Sequence, residues 1–287
     1  MPARLRKGLI ATATRIAFCV VLGIAASPAT KSADPGIRFA DFHGPVLRAT
    51  QLHLIYWGID WTGTLPPTAD RITAAVRTMM ASSFMTGLHQ YRGIGRGTLR
   101  DATTVTEPDA PILFDDHDVS DFLDALFDAG KIASPDTGNQ NLYLVMTPFG
   151  TRSRDRNYAG EHSYYVHAGR RVHFAWITHR TTLAETTALL SHEVVEAVTD
   201  PEGSGVLGVD GTCHRFGWCE ISDVCSPTGV IGGVVVQSYW SNAEGACVVM
   251  DAPPGGAPRV QRAHQTPDDV HLVVDEPRLR PSRRREP

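Results

Sequence analysis

The strongest local constraint in this chain lies between Thr182 and Pro201, where both ends of a helix are written in the residues. Thr182-Leu183-Ala184-Glu185 is a capping box, in which the Thr hydroxyl and the Glu carboxylate each satisfy a backbone N–H of the first turn. Asp200-Pro201 is a stop, because proline lacks a donor and pushes the residue before it out of the helical region. The pair predicts a helix from Leu183 to about Thr199. With His192 at zero on the helical wheel, Glu185 falls at about 20°, Glu196 at about 40°, Asp200 at about 80° and Glu193 at about 100°. Leu183, Thr187, Leu190, Val194 and Val198 take the other side and form a packing stripe, with Leu189 and Val195 at its margin. A solvated face is the ordinary explanation for such carboxylates. Yet no Lys or Arg occurs from Glu185 to Asp200, and acids stacked a turn apart weaken a helix unless a cation sits between them.

His192-Glu193-Val194-Val195-Glu196 has the spacing of zinc-hydrolase helices, in which the first and fifth residues bind the metal and the second is a general base. Here the fifth residue is Glu, so the motif is HExxE. The reading expects His192, Glu196 and Glu220 to bind Zn2+, with Asp223 as a fourth ligand or support, and Glu193 to take the proton from metal-bound water. His214 is a softer candidate for the third ligand. His162, in Gly160-Glu161-His162, is expected in a polar loop before a strand. It is a candidate catalytic donor to a developing oxyanion, as are Tyr164 and Tyr165. A more oxygen-rich set favours Ca2+ over zinc, and a metal-free packed or solvated helix is the competing reading.

The rest of the chain sets the context. Arg4, Arg6, Lys7 and Arg15 precede an apolar run, Ile16 to Ala26, and small residues at Ser27-Pro28-Ala29. This is the pattern of an export signal cut after Ala29. The competing reading, a membrane anchor, needs a longer apolar run, and Cys19 is badly placed for lipid attachment. Residues 1–29 hold four of the 27 basic residues and none of the 31 acidic ones, so the chain after cleavage carries 23 basic against 31 acidic residues, a net charge of −8. That argues against a nucleic-acid binder, which should show a basic face. No other segment suits a membrane span. Cys213, Cys219, Cys225 and Cys247 remain, and in an oxidising compartment they predict two disulfides with three connectivities open. A zinc knot is disfavoured, because no CxxC pair is present. From Ala252 onward the text is Pro, Gly and charge, ending Arg283-Arg284-Arg285, which predicts a disordered tail over 252–287 with Leu272-Val273-Val274 as its one apolar patch.

Between residues 39 and 250 the length suits one domain. Strands are predicted at Leu52–Trp57, Leu142–Met146, Val172–Ile177, Val234–Tyr239 and Cys247–Met250. Helices are predicted over Thr68–Leu88, with a stripe of Ile72, Val76, Met79, Met80 and Phe84, and over Val119–Phe127, with Asp118 as N-cap and Gly130 past its end. Tyr91–Gly97 is a glycine-rich turn without phosphate-loop spacing. The fold class is α+β or α/β: a single domain with a mixed central sheet flanked by helices and a C-terminal third stapled by disulfides.

These motifs resemble those of the phosphate-induced protein 1 (exordium-like) family. His192-Glu193-Val194-Val195-Glu196-Ala197 with Asp200-Pro201 is similar to its HELAE and Asn-Pro, and Glu220-Ile221-Ser222-Asp223-Val224-Cys225 to its EIADLC. Tyr56-Trp57-Gly58, Gly160-Glu161-His162 and Gln237-Ser238-Tyr239-Trp240-Ser241-Asn242 followed by Cys247 resemble further elements across Leu52 to Cys247. The Ala-Val-Thr-Asp-Pro wording looks like a distant, bacterial-type branch. The resemblance implies export and a part for both acidic motifs, and no secure reaction. Two functions follow as expectations. One is a secreted, extracellular or periplasmic, metal-dependent hydrolase of peptidase type acting on a peptide or cell-wall substrate. The other is a non-catalytic binding protein of the cell envelope, with a structural metal or acidic network and a groove lined by Trp57, Trp61, Trp218 and Trp240.

Overall fold

The computed structural model describes residues 36–154, 158–209, 219–251 and 259–262. The segment read as an export signal, His214, Trp218, Cys213 and the Leu272–Val274 patch lie outside them. In chain order the elements are β1 (Arg38–Asp41), β2 (Gln51–Trp57), α1 (Ala69–Met80), the single turn α2 (Ser83–Thr86), β3 (Thr98–Val105), β4 (Leu113–Phe114), α3 (Asp116–Asp128), β5 (Asn141–Thr147), β6 (Arg152–Ser153), β7 (Gly160–His167), β8 (Arg170–Thr178), α4 (Leu183–Thr199), β9 (Val206–Val209), β10 (Thr228–Ile231), β11 (Val234–Gln237), β12 (Tyr239–Ser241), β13 (Ala246–Asp251) and β14 (Arg259–Arg262).

The central sheet has the order β3-β2-β5-β8-β7. Its first four strands are parallel, and β7 is an antiparallel edge. Parallel crossovers are right-handed, and the chain steps one way from β2 to β3 and back the other way to β5. The helices of the two connections therefore fall on opposite faces. On one face Leu52, Leu54, Tyr56, Leu142, Leu144 and Met146 pack with residues of α1 and α4. On the other, Ile55, Trp57, Tyr143, Val145, Phe174 and Trp176 pack with α3. This period-two division buries β2 and β5 on both sides, which is why they read as continuous apolar runs rather than alternating ones.

β7 and β8 form a hairpin whose two turn residues, Ala168 and Gly169, both have positive φ, 47° and 78°. That geometry matches the twist of the paired strands. It sets the register that places His162 opposite Ala175 and Gly160 opposite Ile177, on the face toward α4. The C-terminal third packs against that same face. α4 lies against β7, β8, α1 and β11, and a disulfide joins Cys225 to Cys247. Cys219 is disulfide-bonded as well. No helix among the described residues is long and apolar enough to cross a membrane.

Several expectations need correction. The long helix expected over Thr68–Leu88 breaks at Ala81-Ser82, and two short turns follow α1. The cap of α3 is Asp115; Asp118 is the third residue of the helix, closes the capping box and accepts from the Asp115 N–H. The segment expected to be tail from Ala252 contains β14, which pairs with β13. Trp57, Trp61 and Trp240 are core residues between 3 and 7% exposed, and their indole N–H groups are spent on Pro108 O, Met146 O and Asn242 Oδ1. Trp57 alone of the three borders an open surface cavity, with Pro108, Asp118, Phe122 and Lys131.

Candidate metal centre

α4 starts and stops where its residues dictate. Thr182 and Glu185 form the capping box, and the Asp200 N–H closes on the Glu196 carbonyl. Glu185, the first carboxylate on the predicted polar face, is used up there: it accepts from Thr181 and Thr182 at the exposed end of the helix, and those bonds hold its carboxyl below the usual range. Beyond it, every residue from Thr186 to Thr199 is buried. A solvated face is thereby ruled out for His192, Glu193 and Glu196, each 3% exposed.

Three other pieces of chain bring partners to this turn of helix. β7 supplies His162, so this residue sits on an edge strand and not in the loop expected for it. The turn after Cys219 supplies Glu220 and Asp223, closed by a bond from the Glu220 N–H to Asp223 Oδ2. β11 supplies Gln237, which the sequence reading quotes in a motif but gives no part in the site. Two triads of ligand-type atoms result, His162–Glu193–Glu196 and His192–Glu196–Asp223, and they share Glu196. His162 Nδ1 lies 3.6 Å from Glu193 Oε2 and 4.0 Å from Glu196 Oε2. His162 Nε2 is 3.3 Å from Glu220 Oε1 and 3.2 Å from the Asp200 carbonyl. His192 Nε2 is 3.1 Å from Glu196 Oε2 and 3.6 Å from Asp223 Oδ1. The acidic turn and the helix therefore do meet, through Asp223 at His192 and Glu220 at His162.

The electrostatics are one-sided. Glu193, Glu196, Asp200, Glu220 and Asp223 gather around two imidazoles, and the Arg ion pairs on Asp41, Asp115, Asp118 and Glu202 lie elsewhere. Burial, then the charges of Glu220 and Glu193, pushes the Glu196 carboxyl well up. Burial and Glu196 do the same to Asp223. Asp200 is pushed up to about 6 by burial and Glu220, although its Oδ1 accepts from the Ser204 and Gly205 N–H groups. At His162 burial works against the charged ring, but Glu220, Glu193 and Glu196 prevail and raise it. Glu196 Oε1 is buried and has no hydrogen-bond partner among the described residues, and Glu220 Oε1 has only its 3.3 Å ion pair with His162 Nε2. Each exception of that kind needs a proton, a water or an ion to explain it.

No family model, curated protein or solved structure matches this chain.

Of the two tyrosines proposed beside His162, Tyr165 is on the opposite face of β7, packed against the second core and Phe174. Tyr164 shares the His162 face and lies under the Arg171 guanidinium at 5.1 Å. Gly160 is a further part of the site. A Cβ there would stand 2.7 Å from Glu193 Oε1 and 2.9 Å from its Cγ, so β7 passes directly over the Glu193 carboxylate. Gly160→Ala is expected to displace Glu193 and weaken metal binding by about tenfold or more, the scale of a disturbed ligand, with the β7–β8 pairing kept. Zinc titration beside a far-UV spectrum checks this, and an unchanged affinity would show that Glu193 does not need its present seat.

Proposed function

We propose that this chain is an exported metal-dependent hydrolase, and that its cation is held at Glu196 between the two imidazoles. The observation that carries the reading is the buried, partnerless Glu196 Oε1 in a cluster of five carboxylates. Ionised carboxylates are held out of water only when paired or bound to metal. A nitrogen–oxygen donor set of this kind suits zinc, and an open position on the ion would lower the pKa of bound water toward neutrality and polarise a substrate carbonyl. The cluster meets solvent on the side of His162 and Glu220, whose side chains are 12 and 18% exposed. A peptide or cell-wall carbonyl would approach from there. The basic and apolar start of the chain, the disulfide and the resemblance to exordium-like proteins support export.

One observation favours the second reading, a non-catalytic envelope protein with an acidic network: raised carboxyls at Glu196 and Asp223 can share protons in place of an ion. Elemental analysis of the purified protein, followed by peptidase and cell-wall hydrolysis assays with and without chelator, separates the two. About one zinc per chain and hydrolysis lost on chelation is the expected result. Calcium or no metal, with no cleavage, would establish the network instead.

A further inference from the structure

The two triads differ in which ring nitrogen is available, and Gln237 decides the matter. Its Nε2 lies 2.6 Å from the Cys225 carbonyl, 3.2 Å from the Ser222 carbonyl and 2.8 Å from His192 Nδ1. Two carbonyl oxygens on one atom make that atom the amide nitrogen, since the amide oxygen there would face two acceptors. That nitrogen has two hydrogens for three acceptors, and its two shortest contacts, the Cys225 carbonyl and His192 Nδ1, take them; His192 Nδ1 therefore accepts, and the hydrogen of the neutral ring is on Nε2. Nε2 is the atom that points at Glu196 and Asp223. A metal-binding nitrogen must carry a lone pair, and its ring normally donates from the other nitrogen to a carbonyl or carboxylate. His192 has this arrangement reversed.

His162 has it the right way round. Its Nε2 faces the Asp200 carbonyl, which only accepts, and that leaves the Nδ1 lone pair toward Glu193 and Glu196. The spacings agree. Ligands on a tetrahedral zinc with bonds of about 2.0–2.2 Å stand about 3.3–3.6 Å apart; His162 Nδ1 is 3.6 Å from Glu193 Oε2, too far for a good hydrogen bond and right for a shared ion. The 3.1 Å from His192 Nε2 to Glu196 Oε2 is a donor–acceptor distance.

We propose that the ion binds His162 Nδ1, Glu193 and Glu196, and that His192 is a positioning residue that holds Glu196 through its Nε2 hydrogen. This rests on the metal reading given above and reverses the roles that HExxE spacing alone suggests. Glu193 becomes a ligand and not the base. Glu220, the most exposed carboxylate of the group, lies outside the ligand set, against His162 Nε2 on the side of the ring away from the ion.

The test uses the whole exported chain, titrated with zinc as wild type, His162→Asn, His192→Asn and Glu193→Gln. His162→Asn and Glu193→Gln are expected to weaken zinc binding by more than about 100-fold, and His192→Asn by about tenfold, the scale of an outer partner. Because a buried variant can misfold, the ring nitrogens of the wild type are also followed in a two-bond proton–nitrogen NMR spectrum. Zinc should move the His162 Nδ1 signal and leave His192 in its Nε2–H form. A zinc-shifted His192 Nε2 with His162 unmoved, or full zinc affinity in Glu193→Gln, overturns the assignment while leaving the metal reading intact. A wild type that takes up no zinc removes both.

Discussion

Glu196→Gln is expected to abolish measurable metal uptake and hydrolysis together while leaving the metal-free protein as stable as wild type or more so. Glu196 belongs to both triads, so this result does not depend on which imidazole binds the ion. Loss of a direct ligand should exceed the 10–100-fold cost of losing an outer one. The stability half of the result follows from the cost of burial. Glu196 is 3% exposed with one oxygen unpartnered, and Asp223, Glu193 and Glu220 crowd it. An amide of the same shape removes a buried acid from that crowd, and an ionisable group without full compensation is worth less to a fold than a neutral isostere. Calorimetric zinc titration and thermal melts with and without chelator read both halves. Wild-type affinity in Glu196→Gln would remove the shared ligand and the metal centre with it. A large loss of metal-free stability would instead mean that Glu196 is part of a satisfied structural network.

How far the residues themselves disclosed this site depends on range. Interactions within one helix were legible. The capping box at Thr182, the Asp-Pro stop and the placing of His192, Glu193 and Glu196 on one side follow from periodicity, and α4 has those bounds. Glu220 and Asp223 were legible because two cysteines bracket a short acidic stretch. What was not legible depends on pairing between distant strands. His162 reads as a loop residue because Gly160-Glu161-His162-Ser163 is polar and lacks apolar alternation. It is in a strand because β8 offers an edge and a two-residue hairpin to join it. β3, Thr-rich and half exposed, escaped for the same reason. Glu185 has the right angle on the wheel and the wrong height, some two turns above Glu193. Gln237 stood at the head of a quoted motif, but nothing local tied it to His192. Its place between His192 and two carbonyls is made by the folding of β11 onto α4, and only there does its amide discriminate between the ring nitrogens.

That amide is also why the disulfide matters beyond stability. Replacing Cys225 and Cys247 with Ala together should lower unfolding free energy by about 3 kcal/mol, from loop closure over a separation of 22 residues. In a domain of this size that is a fall of about 6–12 °C in Tm. The second effect is local. The Cys225 carbonyl is the shorter of the two anchors of the Gln237 amide, and Ser222, beside Asp223, supplies the other. The bond to Cys247 ties that carbonyl to β13, which pairs with β12 directly after Gln237. Without the tie, the Ser222–Cys225 turn can move away from α4, the amide can turn, and His192 loses the contact that fixes its hydrogen on Nε2. Zinc affinity is then expected to fall by about 10–100-fold, the cost of an outer partner, in protein that remains folded at 25 °C. A drop in Tm with unchanged zinc affinity would separate the staple from the site; a matching drop in both would mean that the oxidised turn holds the metal centre in register with the helix.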